Sequence, residues 1–234
     1  MQDEPLEEAP QDEIALRDDL RYVVIEGVIG AGKTSLSRML AEKFNGQLIL
    51  EEFDDNPFLS RFYEDPKRWS FHTQLSFLAS RFQQQKLVHH RSLFHQVIIS
   101  DYIFDKDRIF AHLNLKDEEL QLYETLFRQM QISTPKPDLV VYLQSSPDRL
   151  MKNIKKRDRS FEKQMSRKYI EELNEAYNYY FFRFDRCPLL IINTTNIDFV
   201  ENQDDFNELV RQIASSNHPG TTYFNPGQPQ ADNL

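Results

Sequence analysis

Cysteine is nearly missing from this chain, since Cys187 is the single one among 234 residues. One thiol cannot form an internal disulfide framework or a cysteine-rich metal site. The cysteine usage therefore favours a reducing compartment, and the apolar neighbours of Cys187 predict a buried, inert thiol.

Long apolar runs are missing as well. No stretch approaches the roughly eighteen uninterrupted apolar residues of a membrane span, and the N-terminus has neither the basic start nor the apolar centre of a secretory signal. We therefore expect a cytoplasmic protein without a membrane partner. The length and the 40% hydrophobic content suffice for one globular domain.

Positive charge is scarce. The formal net charge is −9, and residues 1–20 contribute −7 of it because they hold eight acids against Arg17, which leaves −2 for the rest. A nearly neutral body lacks the basic field that nucleic acid requires, so we expect no nucleic-acid partner. We predict an acidic flexible tail at 1–20, a main domain at 21–214 and, from its proline and glycine content, a flexible tail at 215–234.

A glycine-rich loop stands between an apolar run at residues 22–25 and a helix-like stretch at residues 35–43. Such a loop turns tightly at its glycines, presents amide N–H groups and places a helix N-terminus next to an anion. This setting is typical of the phosphate-binding loop of a nucleoside triphosphate site. The predicted loop comprises Gly27, Val28, Ile29, Gly30, Ala31, Gly32, Lys33, Thr34 and Ser35.

The last residues of this loop predict contacts with the terminal phosphates and with a metal ion. Lys33 is expected to pair with the terminal phosphates, and the hydroxyl of Thr34 is expected on Mg²⁺. Phosphate and water, rather than a protein cage, would complete the coordination of the metal.

Short apolar runs alternate with helical periodicity. The pattern predicts an α/β fold with a five-stranded parallel sheet covered by helices on both faces. The predicted strands are 22–26, 47–50, 97–100, 139–143 and 189–193, and the predicted helices include 69–90, 118–131, 147–156, 168–184 and 204–215. Ligands in such sheets bind at the carboxyl ends of the strands.

Acidic residues follow the second and third predicted strands. Phosphoryl transfer to a hydroxyl needs a carboxylate near the acceptor oxygen, and Glu51 or Glu52 has that position, while Asp101 is placed to hold Mg²⁺ through water. A basic cluster could close over the phosphates, although a solvated helix face is the plain alternative. Its members are Lys155, Lys156, Arg157 and Arg159.

One helical segment suits a nucleobase. Gln74 and Arg81 are seven residues apart and so share a helix face, and Trp69 and Phe71 begin the same helix. An amide, a guanidinium and aromatic rings can stack on a base and bind its edges, whereas the alternative for the aromatic residues is an ordinary core position.

Together these motifs resemble the deoxynucleoside kinases, and the resemblance runs from Tyr22 to about Ile213. It implies a phosphate-loop kinase fold with an arginine-rich lid, ATP as phosphate donor, Mg²⁺, a deoxynucleoside as acceptor and a homodimer. It also implies a purine preference, because the similarity is nearest to bacterial purine-directed members, with deoxycytidine as a further substrate.

The resemblance assigns roles residue by residue. Glu51 takes the place of the general base, Tyr63 and Glu162 the places of sugar contacts, and Gln74 that of the base-reading glutamine. The remaining matches are Arg81 and Asp107 as a pair near the other edge of the base, Arg157 and Arg159 in the lid, and Asp198 and Phe199 beside the adenine of ATP.

One position departs from the family pattern. After the third strand the chain reads Asp101-Tyr102-Ile103, so the arginine that accompanies the catalytic base is missing, and Lys106 and Arg108 are the candidates to supply its charge. Two other functions fit the phosphate loop. These are a nucleoside monophosphate kinase, such as a thymidylate kinase, and a nucleotide-dependent switch without a small-molecule substrate.

Overall fold

The computed structural model describes residues 14–226 with five short gaps, at 53–54, 90–93, 160–161, 163–164 and 217. Most of the predicted acidic tail, residues 1–13, and the last eight residues of the predicted C-terminal tail lie outside the described part. No helix in the described ranges is long and apolar enough to cross a membrane.

A single parallel sheet forms the centre of the molecule. Its strands lie in the order β2-β3-β1-β4-β5-β6, and every neighbouring pair is parallel. The strands are β1 (Tyr22–Gly27), β2 (Gln47–Ile49), β3 (Ile98–Ser100), β4 (Leu139–Gln144), β5 (Leu189–Asn193) and β6 (Thr221–Phe224). The predicted α/β fold and the first five strands are confirmed.

Helices connect the strands and cover the sheet. Several begin at the caps that their sequences encode: the side chain of Ser146 accepts from the Arg149 amide, and that of Ser166 accepts from the Tyr169 amide. The helices are α1 (Lys33–Lys43), α2 (Leu59–Glu64), α3 (Pro66–His89), α4 (Lys106–Asn114), α5 (Asp117–Gln131), α6 (Pro147–Arg157), α7 (Arg167–Phe182) and α8 (Gln203–Ser215).

Two apolar clusters position the helices. The larger one contains the central strands, in which every residue of Tyr22–Gly27 is buried, as expected for a sheet covered on both faces. A smaller cluster joins α3, α4 and α5 through Leu78, Phe104, Tyr123 and Phe127. This second cluster fixes α3 and α4 beside each other at the carboxyl end of the sheet.

Both predicted tails are shorter than the sequence pattern indicated. Ile14 and Leu16 pack against the larger core, and Leu20 is buried in it. At the other end, β6 pairs with β5 and buries Phe224 inside the region predicted to be flexible. The run Thr-Thr-Tyr-Phe has high strand propensity, and the prolines and glycines on either side of it concealed that signal.

The sixth strand yields a stability prediction. Phe224→Ala should lower the free energy of unfolding by about 3 kcal/mol, because Phe224 is 6% exposed and its removal leaves a cavity. Tyr223→Ala is the matched control and should change stability by less than about 0.5 kcal/mol, since Tyr223 is 56% exposed. Urea unfolding measures both variants, and equal small losses would mean that β6 does not contribute to the core.

Candidate active site

The phosphate loop connects β1 to α1 at the carboxyl edge of the sheet. Gly30 has φ +87°, and a Cβ there would lie 2.7 Å from the carbonyl oxygen of Leu150, so only glycine fits. Gly32 is the N-cap of α1, and within the described chain no side chain caps the helix, which leaves its first amides available to an anion.

Lys33 folds back over this loop. Its Nζ donates to the carbonyl of Val28 at 3.2 Å. Burial lowers the pKa of Lys33 to about 8, and the nearby charge of Lys106 acts in the same direction. A triphosphate in the loop would supply the negative charge that this lysine needs.

Thr34 and Asp101 meet beside the loop, as a shared metal site requires. The Thr34 hydroxyl donates to Asp101 Oδ2 at 2.5 Å, and the Glu51 amide donates to Asp101 Oδ1 at 2.8 Å. In the described ranges no three acidic, histidine or cysteine side chains cluster as a metal cage. One hydroxyl and one carboxylate suit a Mg²⁺ that keeps water and phosphate ligands.

Glu51 lies between two cations. Its Oε1 accepts from Arg81 through Nε at 2.9 Å and also through Nη2, and its Oε2 accepts from Lys106 Nζ at 2.5 Å. Burial favours a raised pKa, but the charges of Arg81 and Lys106 outweigh it and hold the pKa of Glu51 below its usual range. Glu52 is exposed, so the structure favours Glu51 of the two candidates.

Lys106, rather than Arg108, supplies the missing charge beside Glu51. Lys106 is only 4% exposed and lies in the first turn of α4, whereas Arg108 Nε donates to Glu124 at 2.9 Å. The sequence left both candidates open because it could not show which face of α4 points to the site.

Arg81 extends from Glu51 to Asp107 on α4, which is fully buried and accepts from Arg81 Nη1. Gln74 lies about two turns before Arg81 on the same face of α3 and is 2% exposed. Within the described residues, Gln74 Oε1 and Asp107 Oδ2 have no hydrogen-bond partner. Two buried acceptors without donors are costly unless a ligand supplies the donors.

Glu51, Gln74 and Arg81 line one pocket, and the predicted lid arginines line it as well. Arg157 Nε donates to Glu162 Oε2 at 3.1 Å, and Arg159 Nη1 lies 3.7 Å from Glu162 Oε1. Tyr63 lines the same pocket. The rest of the predicted basic cluster points away, since Lys155 is exposed and Lys156 pairs with Glu201 on the outer surface.

A second pocket lies above the phosphate loop and includes Asp198 and Phe199. The ring of Phe199 is buried, and a Cβ on Gly32 would lie 2.7 Å from it. Arg149 was not predicted, and its Nη2 donates to Asp198 Oδ2 at 2.9 Å and to the Ile197 carbonyl at 3.1 Å. Nothing in the sequence around Arg149 distinguishes it from a surface arginine of a helix.

Glu26 is another site residue that sequence reasoning missed. It is fully buried beneath the loop, where Oε2 accepts from the Gly27 amide and Oε1 from the Ile103 amide, each at 2.9 Å. Its carboxylate therefore joins the phosphate loop to the segment that leads into α4. An acid within an apolar strand was the available signal.

The two pockets adjoin and share four lining residues. The shared residues are Lys33, Thr34, Arg157 and Arg159. A glycine-rich loop open to one pocket, next to a cation-flanked carboxylate in the other, is typical of phosphate-loop enzymes that pass a phosphoryl group between two ligands.

Comparisons with known proteins identify the family. The deoxynucleoside kinase family model matches residues 23–217. The deoxyguanosine kinase of Bacillus subtilis is 34% identical over 197 residues, which cover 82% of this chain and 95% of that protein. The deoxyadenosine/deoxycytidine kinase of the same organism is 32% identical over 203 residues, covering 84% and 93%.

A solved structure shows the same fold. The deoxyadenosine kinase from M. mycoides with bound dATP superposes with a TM-score of 0.73 at 24% identity, covering 83% of this chain and 100% of that one. The chain belongs to the deoxynucleoside kinase family and is a deoxynucleoside kinase.

The contrast between Glu51 and Glu52 generates a prediction. Glu51→Gln should lower kcat by roughly 10²–10⁴ with little effect on nucleoside binding, as expected for loss of a general base. Glu52→Gln is the matched control and should keep wild-type activity because Glu52 is exposed. Steady-state kinetics test the pair, and an inactive Glu52→Gln beside an active Glu51→Gln would move the base to Glu52.

Proposed function

We propose that this enzyme transfers the γ-phosphoryl group of ATP to the 5′-hydroxyl of purine deoxyribonucleosides, with deoxycytidine as a further substrate. The pocket lined by Tyr63, Gln74 and Arg81 would be the acceptor pocket, and the pocket that includes Asp198 and Phe199 the donor pocket. The observation that carries the proposal is the position of Glu51, a cation-flanked carboxylate where the phosphate loop meets the acceptor pocket. A switch protein has no use for such a pocket.

The donor site is consistent with ATP and Mg²⁺. Lys33 and the amides of the loop would hold the phosphates, while Thr34 and Asp101 would hold the metal. Mg²⁺, when bound, neutralises charge on the phosphate oxygens. Asp198, Phe199 and Arg149 form the part of this pocket that would receive the adenine.

Glu51 would act as general base. The 5′-oxygen forms a bond to the γ-phosphorus, the bond from that phosphorus to the β–γ bridging oxygen breaks, and the hydroxyl proton passes to the Glu51 carboxylate. Arg157 and Arg159 lie beside both pockets, where they would stabilise charge on the moving phosphoryl group. Tyr63 and Glu162 line the pocket where the sugar would bind.

The acceptor pocket favours a base with N–H donors. Gln74 Oε1, in the lining of the pocket, and Asp107 Oδ2, on the residue that pairs with Arg81, are buried acceptors, which would suit the amino groups of adenine and cytosine or the N–H groups of guanine. Thymine has one ring N–H between two carbonyls and satisfies them poorly. The relatives named for deoxyguanosine, deoxyadenosine and deoxycytidine support the same substrate range.

A monophosphate acceptor fits less well. Apart from Lys33, which also lines the donor pocket, the described cations of the acceptor pocket each contact a carboxylate of the protein: Arg81 and Lys106 contact Glu51, and Arg157 and Arg159 contact Glu162. A further phosphate would have to displace one of these partners. The homodimer and the cytoplasmic location implied by the sequence stay predictions.

The phosphate loop generates the next prediction. Lys33→Ala should lower turnover by about 10³-fold or more, because the terminal phosphates lose their fixed cation. Lys43→Ala is the matched control, since Lys43 lies exposed at the other end of α1. Coupled assays at saturating ATP measure both, and more than about a tenth of wild-type activity in Lys33→Ala would contradict the role of the loop.

The acceptor pocket generates a prediction about substrates. Of the four deoxynucleosides, deoxyadenosine or deoxyguanosine should have the highest kcat/KM, and thymidine should fall at least about 10²-fold below it, because buried acceptors reject a base without matching donors. The corresponding monophosphates should not be phosphorylated. A preference for thymidine or thymidylate would contradict both the pocket assignment and the substrate class.

A further inference from the structure

The two oxygens of the Glu51 carboxylate are unequally occupied. Oε1 accepts two hydrogen bonds from the Arg81 guanidinium, whereas among the described residues Oε2 accepts one, from Lys106 Nζ. A carboxylate oxygen has two acceptor sites, so Oε1 is filled and Oε2 has one site left. A hydroxyl that donates to Glu51 without displacing a protein group therefore binds at Oε2, next to the Lys106 ammonium.

The Lys106 ammonium has donors that the described protein groups do not use. An ammonium carries three N–H donors, and the hydrogen bond to Glu51 Oε2 accounts for one of them within the described chain. The side chain of Lys106 is only 4% exposed, yet it lines the acceptor pocket. Buried donors without acceptors are costly, so a ligand in this pocket that carries oxygen atoms would satisfy them.

Lys106 also lies near the place that the terminal phosphate would take. Lys33, which would hold that phosphate, lines the same pocket, and the charge of Lys106 lowers the pKa of Lys33. Arg81 is held by two carboxylates, Glu51 and the fully buried Asp107, whereas Lys106 has Glu51 as its one described carboxylate partner. Of the two cations on Glu51, Lys106 is therefore the less constrained one, and its ammonium ends a flexible side chain.

We propose that Lys106 is a catalytic residue whose ammonium binds the acceptor oxygen and the transferring phosphoryl group, and that Oε2 of Glu51 is the oxygen that takes the proton. The 5′-hydroxyl passes its proton to Oε2 as its oxygen bonds to the γ-phosphorus and the bond to the β–γ bridging oxygen breaks. The ammonium keeps its three protons and stabilises negative charge on the phosphoryl oxygens. Arg81 stays on Oε1 and orients the carboxylate. This inference rests on the proposed function.

The first variant removes the charge of Lys106 and keeps its length. Lys106→Met should lower the single-turnover rate constant of phosphoryl transfer by about 10²–10³ at saturating ATP and deoxynucleoside, because the developing charge loses a fixed donor. The Kd of the deoxynucleoside, measured by calorimetry, should change by less than about threefold, since the ammonium acts mainly during transfer. Glu51 keeps Arg81 as a partner, so Lys106→Met leaves no described buried charge unpaired.

Chemical rescue distinguishes contact with the reacting atoms from a positioning role. Lys106→Ala should lose activity to the same extent, and methylammonium added to the assay should restore the rate constant saturably, by at least about tenfold, because a small amine can donate where the ammonium did. Tetramethylammonium at the same concentration is the matched salt control, since it has the charge but no N–H donor. Thermal unfolding establishes that each variant is folded, and Lys106→Met decides alone should Lys106→Ala not fold.

Arg108→Met is the matched control on the same helix. Arg108 is a cation in the first turn of α4, but its Nε donates to Glu124 and it does not line the acceptor pocket. This variant should keep the wild-type rate constant within about twofold, and methylammonium should not change it.

The inference is overturned if Lys106→Met keeps more than about a tenth of the wild-type rate constant. It is also overturned if methylammonium fails to restore Lys106→Ala, which would leave Lys106 a positioning role alone, or if Arg108→Met responds to the amine as strongly as Lys106→Ala. These outcomes leave the kinase assignment intact. Failure of the wild type to phosphorylate any deoxynucleoside would instead contradict the proposed function.

Discussion

The chain of alternating charges from Asp107 through Arg81 and Glu51 to Lys106 is the interaction on which the rest of the site depends. All four side chains are buried or nearly so, and buried charges persist only when they are paired. The chain joins three parts of the fold, because Glu51 follows β2, Arg81 lies on α3, and Lys106 and Asp107 begin α4. Loss of Arg81 would leave Asp107 without its described cation, and loss of Glu51 would leave Lys106 without its described carboxylate, each at a cost of about 3–5 kcal/mol.

Apolar packing holds the helices that carry these charges in place. The cluster around Phe104 and Phe127 packs α3, α4 and α5 against one another, which brings Arg81 on α3 beside Asp107 on α4. Beneath them, Glu26 accepts amides from both Gly27 and Ile103. The Glu26 carboxylate thus joins the phosphate loop to the segment that leads into α4. The positions of Lys33 and Lys106 both depend on these two hydrogen bonds.

The sequence patterns that succeeded were local ones. Residues 27–34 form a motif in which a side chain at Gly27, Gly30 or Gly32 would clash with a neighbouring atom. Five strands are continuous apolar runs. Both features could therefore be predicted from the sequence. The position of Lys106 could not, because α4 has only nine residues and the face that Lys106 presents depends on how α4 packs against α3 and α5. Likewise, β6 is a four-residue strand between turn formers, and Arg149 contributes through a contact 49 residues away along the chain.

Charge balance also explains why a lysine beside Glu51 is compatible with a lysine in the phosphate loop. Burial lowers the pKa of Lys33, and the nearby charge of Lys106 lowers it further. Glu26, Glu51 and Asp101 act in the opposite direction on Lys33. A bound triphosphate would add negative charge at the loop, and this charge would offset the repulsion between the two lysines. The site is therefore best balanced when the donor is present, and the departure from the family pattern at Tyr102 is compensated within the first turn of α4.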